Sequence, residues 1–512
     1  MSSICLCFEV HQPLRLKHFP EPPDKLKDEH LTDHFLNVGL NKFVFDRAAK
    51  KCYWPTIQIL LDNVDTFKKE NRKFKFGFNF SGIWIEQCEK WQPDLLELIK
   101  QLAESDMVEF FGSTYFHSLA SLFCSKGEFI EQIKMQNQLM KDLFGIKPKV
   151  FINTEMIFNN LIAKAIEDLG YRAIYSEGIE RILEWRSPNY VYSRGPIKDD
   201  DISLDNRIKV LLRNYRLSDD VGYRFSSKQW DQWPLTAEKY AIWLSSTTGQ
   251  VVNIFMDFET FGEHHHEGSG IFYFLKALPW KVFDWQNLDF ILPSEVVEKY
   301  KPVGEFDVHE LNTISWADME RDTSAWLGNS MQSMAFEELK KLEPLVKENG
   351  NKHLLRLWRL LQQSDHLYYM CTKWWEDGDV HKYFSPFSTP HDGFINIISG
   401  ISEIKVRVAR EIGKIEAVNM KKELIELPKI KVTPKIKKIR KKKRKKKKIK
   451  PVVVEEKKEI IKPKIEVVEP KVKIEPQTGI ESIMKEEVIY PNVKIDISEI
   501  ENASKELNKR VK

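Results

Sequence analysis

The sequence predicts an α/β fold: a seven-stranded parallel (β/α)7 barrel over residues 1–300, a helical domain over 301–420, and a Lys-rich low-complexity tail over 421–512. Three observations predict it. Seven short apolar runs alternate with longer helical patterns through the first 260 residues; a polar or acidic residue follows most of those runs; and the strand signal fades after about residue 300.

In chain order the candidate strands are Ile4–Phe8, Phe74–Asn79, Val108–Gly112, Lys149–Asn153, Arg172–Ser176, Lys209–Asn214 and Val252–Asp257. Most are apolar over four to six residues, as strands covered on both faces are. Cys5 and Cys7 alternate within the first run and so share one face. Between the runs, Pro55–Asn71 opens with a proline suited to a first helical turn. Glu128–Phe144 and Asn159–Leu169 place apolar residues at i, i+3, i+4 spacing and are followed by Gly145 and Gly170 as C-caps. His11, Asn79, Thr114, Glu155, Glu177, Asn214 and Asp257 sit at or just after the strands. A barrel gathers such residues at one mouth, whereas an open doubly wound sheet spreads them along a crevice. Seven polar ends favour the barrel. Further on, Asn329–Glu348, Lys352–Trp375 and Phe394–Ala417 read as long helices.

Net charge is +4, an average of two unlike parts. Residues 421–512 hold 29 Lys and Arg against 15 Asp and Glu, a net of +14, which leaves −10 for residues 1–420. Residues 435–450 hold 13 basic residues in 16, and a short helix is expected near Ala503–Val511. The plainer expectation for such a tail is a solvated, disordered segment; the sharper one is weak, nonspecific contact with nucleic acid or another anionic surface. Six cysteines without a CxxC pair fit a reducing compartment. The N-terminus reads as a strand rather than a signal peptide, and no apolar run is long enough for a membrane span. A cytoplasmic location is expected. No feature sets an oligomeric state.

Two stretches carry the chemistry. In Phe255-Met-Asp-Phe-Glu-Thr-Phe-Gly-Glu-His-His-His266 a strand ends in Asp257, with Glu259, Glu263 and three histidines following. In Val150-Phe-Ile-Asn-Thr-Glu-Met-Ile-Phe158 a strand leads to Glu155 between apolar neighbours, a setting that can tune a carboxyl. The plainer readings are a helix N-cap for Asp257 and a first-turn glutamate for Glu155. Two acids at strand ends suit glycoside hydrolysis, in which one attacks the anomeric carbon and the other protonates the leaving oxygen. In a retaining enzyme they stand roughly 5–5.5 Å apart. A metal-dependent carbohydrate hydrolase or deacetylase, with a zinc set drawn from Asp257, His264, His265 and His11, is the alternative from another class; a non-catalytic glucan-binding protein is a third.

Five ordered segments resemble glycoside hydrolase family 57 over roughly residues 1–400: His11-Gln12-Pro13; Val108 to His117; Asn153-Thr154-Glu155; Asp257-x-Glu-x-Phe-Gly262; and Ser315-Trp316 with Asp318, Asp322 and Trp326. The wording is most similar to archaeal members assigned as α-amylases. The resemblance implies an incomplete TIM-like barrel of seven strands, a helical domain completing the cleft, and a retaining mechanism on α-glucan substrates without a metal or cofactor. Glu155 falls at the family's nucleophile and Asp257 at its acid/base. Hydrolysis is the main expectation, with 4-α-glucanotransferase and branching activity as alternatives on the same scaffold. His11, His117 and His264 are expected to contact substrate, Trp316 to stack on a glucose ring, and Trp326 to line the cleft.

Overall fold

Seven strands stand where the apolar runs place them, in a computed structural model that describes residues 2–21, 23, 25–198, 201–373 and 385–426. Among the described residues there are ten strands: β1 Ser2–Val10, β2 Phe76–Phe80, β3 Val108–Phe110, β4 Val150–Phe151, β5 Ala173–Glu177, β6 Tyr192–Arg194, β7 Lys209–Arg213, β8 Val251–Asp257, β9 Leu288–Phe290 and β10 Glu305–Phe306. β1 lies parallel between β2 and β8, and β2 is parallel to β3. Gly112, just past β3, bridges Phe151 in parallel: its N–H donates to Val150 O at 2.9 Å and its carbonyl accepts from Ile152 N at 2.9 Å. β4 continues to β5, β5 to β7, and β7 to β8 through Arg213 and Asn253. Followed from β1, the parallel pairings therefore return to β1. The fold is α/β, a largely parallel sheet flanked by helices.

The three strands absent from the seven runs are short and lie on the margins. β6 is antiparallel to β7, β10 pairs with β6, and β9 joins the first residues of β1.

Side-chain alternation divides the packing. Cys5 and Cys7 share a buried cluster with Phe111, Ile152, Tyr175, Leu211 and Phe255, as their common face requires. Phe8, Phe78 and Ile254 point the other way, into the helices. A Cβ on Gly112 would lie 2.1 Å from the Tyr171 hydroxyl, so glycine here leaves room for that ring against the strand.

The helices begin and end as their caps dictate. Trp54–Lys69 carries Pro55 in its first turn; Gly127–Phe144 ends on Gly145 at φ 69°; and the Asn159 side chain accepts from Ile162 N at 2.9 Å to start Asn160–Asp168. Beyond residue 300 the helices include Ser330–Asn349 and Pro390–Glu426. The expected single helix Lys352–Trp375 is a correction: it breaks into Lys352–Leu360 and Ser364–Tyr368. Gln363 causes the break, because its amide accepts from Leu14 N at 2.8 Å and donates to Leu360 O at 2.6 Å, taking over backbone partners. Trp375, the basic run 435–450 and the short helix expected near Ala503–Val511 lie outside the described residues. Among the described residues no helix is long and apolar enough to cross a membrane.

Candidate active site

Glu155 sits in a one-turn 3₁₀ segment, Thr154–Met156, with a left-handed backbone at φ 58°, ψ 23°. A non-glycine residue held there costs about 1–3 kcal/mol, a strain that recurs at functional sites. Asn153 fixes the turn, its Nδ2 donating to Ile157 O at 2.8 Å and to Ser121 Oγ at 2.9 Å. This is no regular helix start, so a first-turn dipole role does not describe Glu155. Each of its carboxyl oxygens has its own donor. The Trp316 indole N–H reaches Oε2 at 2.9 Å, and the Ser364 hydroxyl reaches Oε1 at 2.8 Å. The Trp316 backbone N–H also binds the Glu155 carbonyl at 3.2 Å. The carboxylate is thus locked in position and rotation.

His117, itself at φ 48°, lies between carboxyls: Nε2 is 3.6 Å from Glu155 Oε1 and Nδ1 is 3.5 Å from Glu9 Oε1. Burial alone would lower its pKa, but Glu155, Glu9 and Asp365 outweigh burial and raise it to about 9. It is an imidazolium at neutral pH. His11 stacks on it, ring centroids 3.9 Å apart. Burial and that neighbouring charge push His11 down to about 4, against the pull of Asp365. Asp365 is held well below the usual carboxylate range: burial opposes this, and the His11 and His117 imidazoles prevail. A neutral His11 beside an ionised Asp365 has one consistent tautomer. Nε2–H donates to Asp365 Oδ2 at 3.0 Å, and Nδ1 accepts from the Ser81 hydroxyl at 2.8 Å. Glu9, raised to about 7 mainly by burial, accepts from Asn79 Nδ2 at 2.9 Å on both oxygens.

Asp257 ends β8 opposite Glu9. It starts the turn Phe258–Thr260, yet its side chain makes no capping hydrogen bond, so an N-cap role does not account for it. Burial and the charge of Glu155 raise its pKa to about 6, with Arg213 and His117 pulling the other way. The turn beyond is clasped by a π-helical segment, Ala49–Tyr53, of the kind that recurs at functional sites. The Tyr53 hydroxyl donates to Glu259 Oε1 at 2.5 Å, Cys52 Sγ donates to Phe258 O at 3.2 Å, and a Cβ on Gly262 would lie 2.0 Å from Lys51 O. Burial, then Asp257, raises Glu259 to about 8.

A buried ion quartet lies behind this cluster. Arg213 pairs with Glu177 at 3.0 Å and Asp219 at 2.5 Å, and Arg321 pairs with the same acids at 2.5 and 3.4 Å. Arg213 also donates to Phe255 O at 2.7 Å and lies 5.7 Å from the centre of the Trp316 ring.

The structure thus brings together Glu155, His11 and His117 among the expected site residues, adds Trp316 as a hydrogen-bond donor, and couples Asp257 electrostatically to them. Trp326 is a correction: its indole is 1% exposed, packed against Tyr368 within the core, and lines no cleft. His264 is half-buried, and burial with the adjacent His265 lowers it to about 4. The zinc set is not assembled. His11 has both ring nitrogens engaged, His265 Nε2 bonds Gly222 O at 3.0 Å, and no three acidic, His or Cys side chains form a metal-holding group among the described residues. Sequence reasoning missed Glu9, Ser364 and Asp365. Their available signals were an acid inside an otherwise apolar strand and four consecutive polar residues, Gln362 to Asp365, in an amphipathic helix pattern.

Comparison with known proteins gives concordant matches. The sequence model for glycosyl hydrolase family 57 matches residues 5–309. A Methanocaldococcus jannaschii protein named "Putative alpha-amylase" is 46% identical over 417 residues, covering 80% of this chain and 85% of the relative. The alpha-amylase of Pyrococcus furiosus is 22% identical over 281 residues, 52% of this chain and only 38% of that protein. A family 57-type branching enzyme from Pyrococcus horikoshii superposes with a TM-score of 0.53 at 14% identity, over 78% of this chain and 88% of that one. The 4-alpha-glucanotransferase of Thermococcus litoralis gives 0.51 at 16%, over 72% of this chain and 56% of that one. These two overlays are likenesses of fold.

Proposed function

The chain belongs to glycosyl hydrolase family 57, and from that premise we propose that it cleaves α-1,4-glucosidic bonds of starch- or glycogen-like α-glucans and maltooligosaccharides with retention, Glu155 attacking and Asp257 serving as acid and then base. It is a glycoside hydrolase. We read the circuit of parallel strands as the (β/α)7 barrel, residues 1–300, and 301–420 as the helical domain that completes the cleft.

The observation that carries the assignment is the unlike treatment of the two acids. Glu155 is fixed through both oxygens by Trp316 and Ser364 beside a charged His117. Asp257 makes no capping bond and holds its proton up to about 6. In the first step a Glu155 oxygen bonds to the anomeric carbon as the bond from that carbon to the leaving oxygen breaks, and the Asp257 proton passes to that oxygen. In the second step Asp257 takes a proton from water as the water oxygen displaces Glu155. A sugar hydroxyl in place of water would give transfer or branching. The His117 imidazolium balances the negative charge that Glu9, Glu155 and Asp365 bring to one place.

The α-glucan is the proposed partner. A cytoplasmic setting, in keeping with the six free cysteines, is part of the same proposal, as is sequence-blind anionic contact through the tail. Incubation with maltoheptaose tests the function. Shorter sugars released initially as α-anomers support retention and hydrolysis, and longer sugars would assign transfer. No turnover, or initial β-anomers, would overturn the proposal.

A further inference from the structure

We infer that the protein has a second α-glucan-binding site, outside the catalytic cluster, in the cavity formed by Trp230, Trp243, Arg216, Asp220, Arg224 and Gln232; the inference rests on the α-glucan reading above and extends it. The depression holds about 520 Å³ and is broadly open to solvent, so it would hold one side of a chain rather than enclose a small molecule. Trp230 and Trp243 are half-buried and meet at 75°, ring centroids 6.1 Å apart, with the Arg224 guanidinium 5.7 Å from the centre of the Trp230 ring and the Lys239 ammonium 5.7 Å from that of Trp243. Neither indole N–H has a hydrogen-bond partner among the described residues. A flat apolar ring face with a donor at its edge suits a glucose unit, whose C–H faces stack while its rim of hydroxyls seeks partners. Asp220 and Gln232 supply acceptors at the rim.

Charge selects the ligand class. Both arginines are already paired, Arg216 with Glu180 at 2.5 Å and Arg224 with Asp220 at 2.8 Å. A phosphate or nucleic acid would find no uncommitted arginine there and a carboxylate inside the cavity. A neutral polyhydroxyl chain meets balanced donors and acceptors.

Position links the cavity to catalysis. Arg216, Asp220 and Arg224 follow i, i+4, i+8 spacing along the outer side of the helix Tyr215–Gly222 and its C-terminal turn. The inner side of the same helix holds the catalytic strand. Ser218 Oγ accepts from Phe255 N at 3.1 Å, and Gly222 O accepts from His265. The cavity therefore flanks β8 across one helix, where a long glucan reaching the Asp257 end of β8 can be held at a second point, raising its effective concentration at the site.

The test separates binding from turnover. In a full-length Glu155→Gln background, retardation in glycogen-containing native gels is compared with and without Trp230→Ala and Trp243→Ala, with Trp243→Phe as a milder variant that keeps packing against Tyr240. In the active chain, kcat/KM is measured on maltotriose and on glycogen. The inference expects glycogen affinity and kcat/KM on glycogen to fall at least tenfold in the alanine variants, less in the phenylalanine variant, with maltotriose turnover unchanged. Unchanged retardation would overturn it. An equal loss on both substrates would also overturn it, since the indoles would then serve the fold. If the wild-type chain turned over neither substrate, the catalytic reading would fail, while retardation would still report on the cavity.

Discussion

The strand ends and the segments beyond residue 300 contribute different things to one site. The strands bring the ionisable groups: Glu9 from β1, Glu155 after β4 and Asp257 at the end of β8. The later segments bring hydrogen bonds to them, with Trp316 and Ser364 reaching Glu155 from 161 and 209 residues away and Asp365 reaching His11. Chemistry placed by a repeating local pattern is thus oriented by a region without that pattern. The geometry of the candidate site belongs to neither region alone.

Substitutions can set the two contributions apart. The largest effect is expected at the strand ends. Glu155→Gln should lower kcat by about 10⁴-fold or more, and Asp257→Asn by about 10²–10⁴-fold, each with an unchanged circular dichroism spectrum. The Asp257 loss should shrink on an aryl glycoside whose leaving group needs no proton; if it does not, Asp257 is not the acid. In the later region, Trp316→Phe and Ser364→Ala each remove one hydrogen bond to a carboxylate, worth about 1.5–3 kcal/mol, so kcat should fall about 10–100-fold with KM moving less. Near-normal kcat in both variants would make the later segments mere cover.

A smaller effect is expected in the pH profile. The acid form of Asp257 survives to about 6, so kcat/KM should fall as pH rises beyond it. Because the Asp365 charge helps raise Asp257, Asp365→Asn should move that alkaline limb to lower pH. The smallest effect concerns stability. The His117 pKa is raised in the folded state, so its contribution is complete below 6.5 and is lost as pH climbs through about 9. Urea melts of wild type and His117→Gln across that window should show the variant lacking this loss, on the order of 3 kcal/mol.

The seven parallel strands were legible because each is an apolar run with a polar residue at its end, and burial on both faces leaves that mark. β6, Tyr192–Arg194, was not: Tyr-Ser-Arg has no run, and its antiparallel pairing with β7 arises only in three dimensions. Glu155 and Asp257 stood out by position, whereas neither the Trp316 hydrogen bond to Glu155 nor the burial of Trp326 showed in the sequence. A tryptophan's sequence neighbours do not say whether its indole N–H meets a carboxylate, as at Trp316, or its ring fills a core, as at Trp326. The break at Leu361–Gln363 escaped because helical period continues across it. It is imposed by Leu14, which bonds Gln363 from the other end of the chain.

The central claim is that Glu155 becomes covalently bound to sugar. Incubating the full chain with a fluorinated α-glucosyl fluoride that slows the second step, then digesting it and sequencing the peptides by mass spectrometry, tests this directly. The account predicts one glycosyl ester, on Glu155, forming as activity is lost. A label on Glu9, Asp257 or Asp365, or inactivation without any covalent sugar, would contradict it.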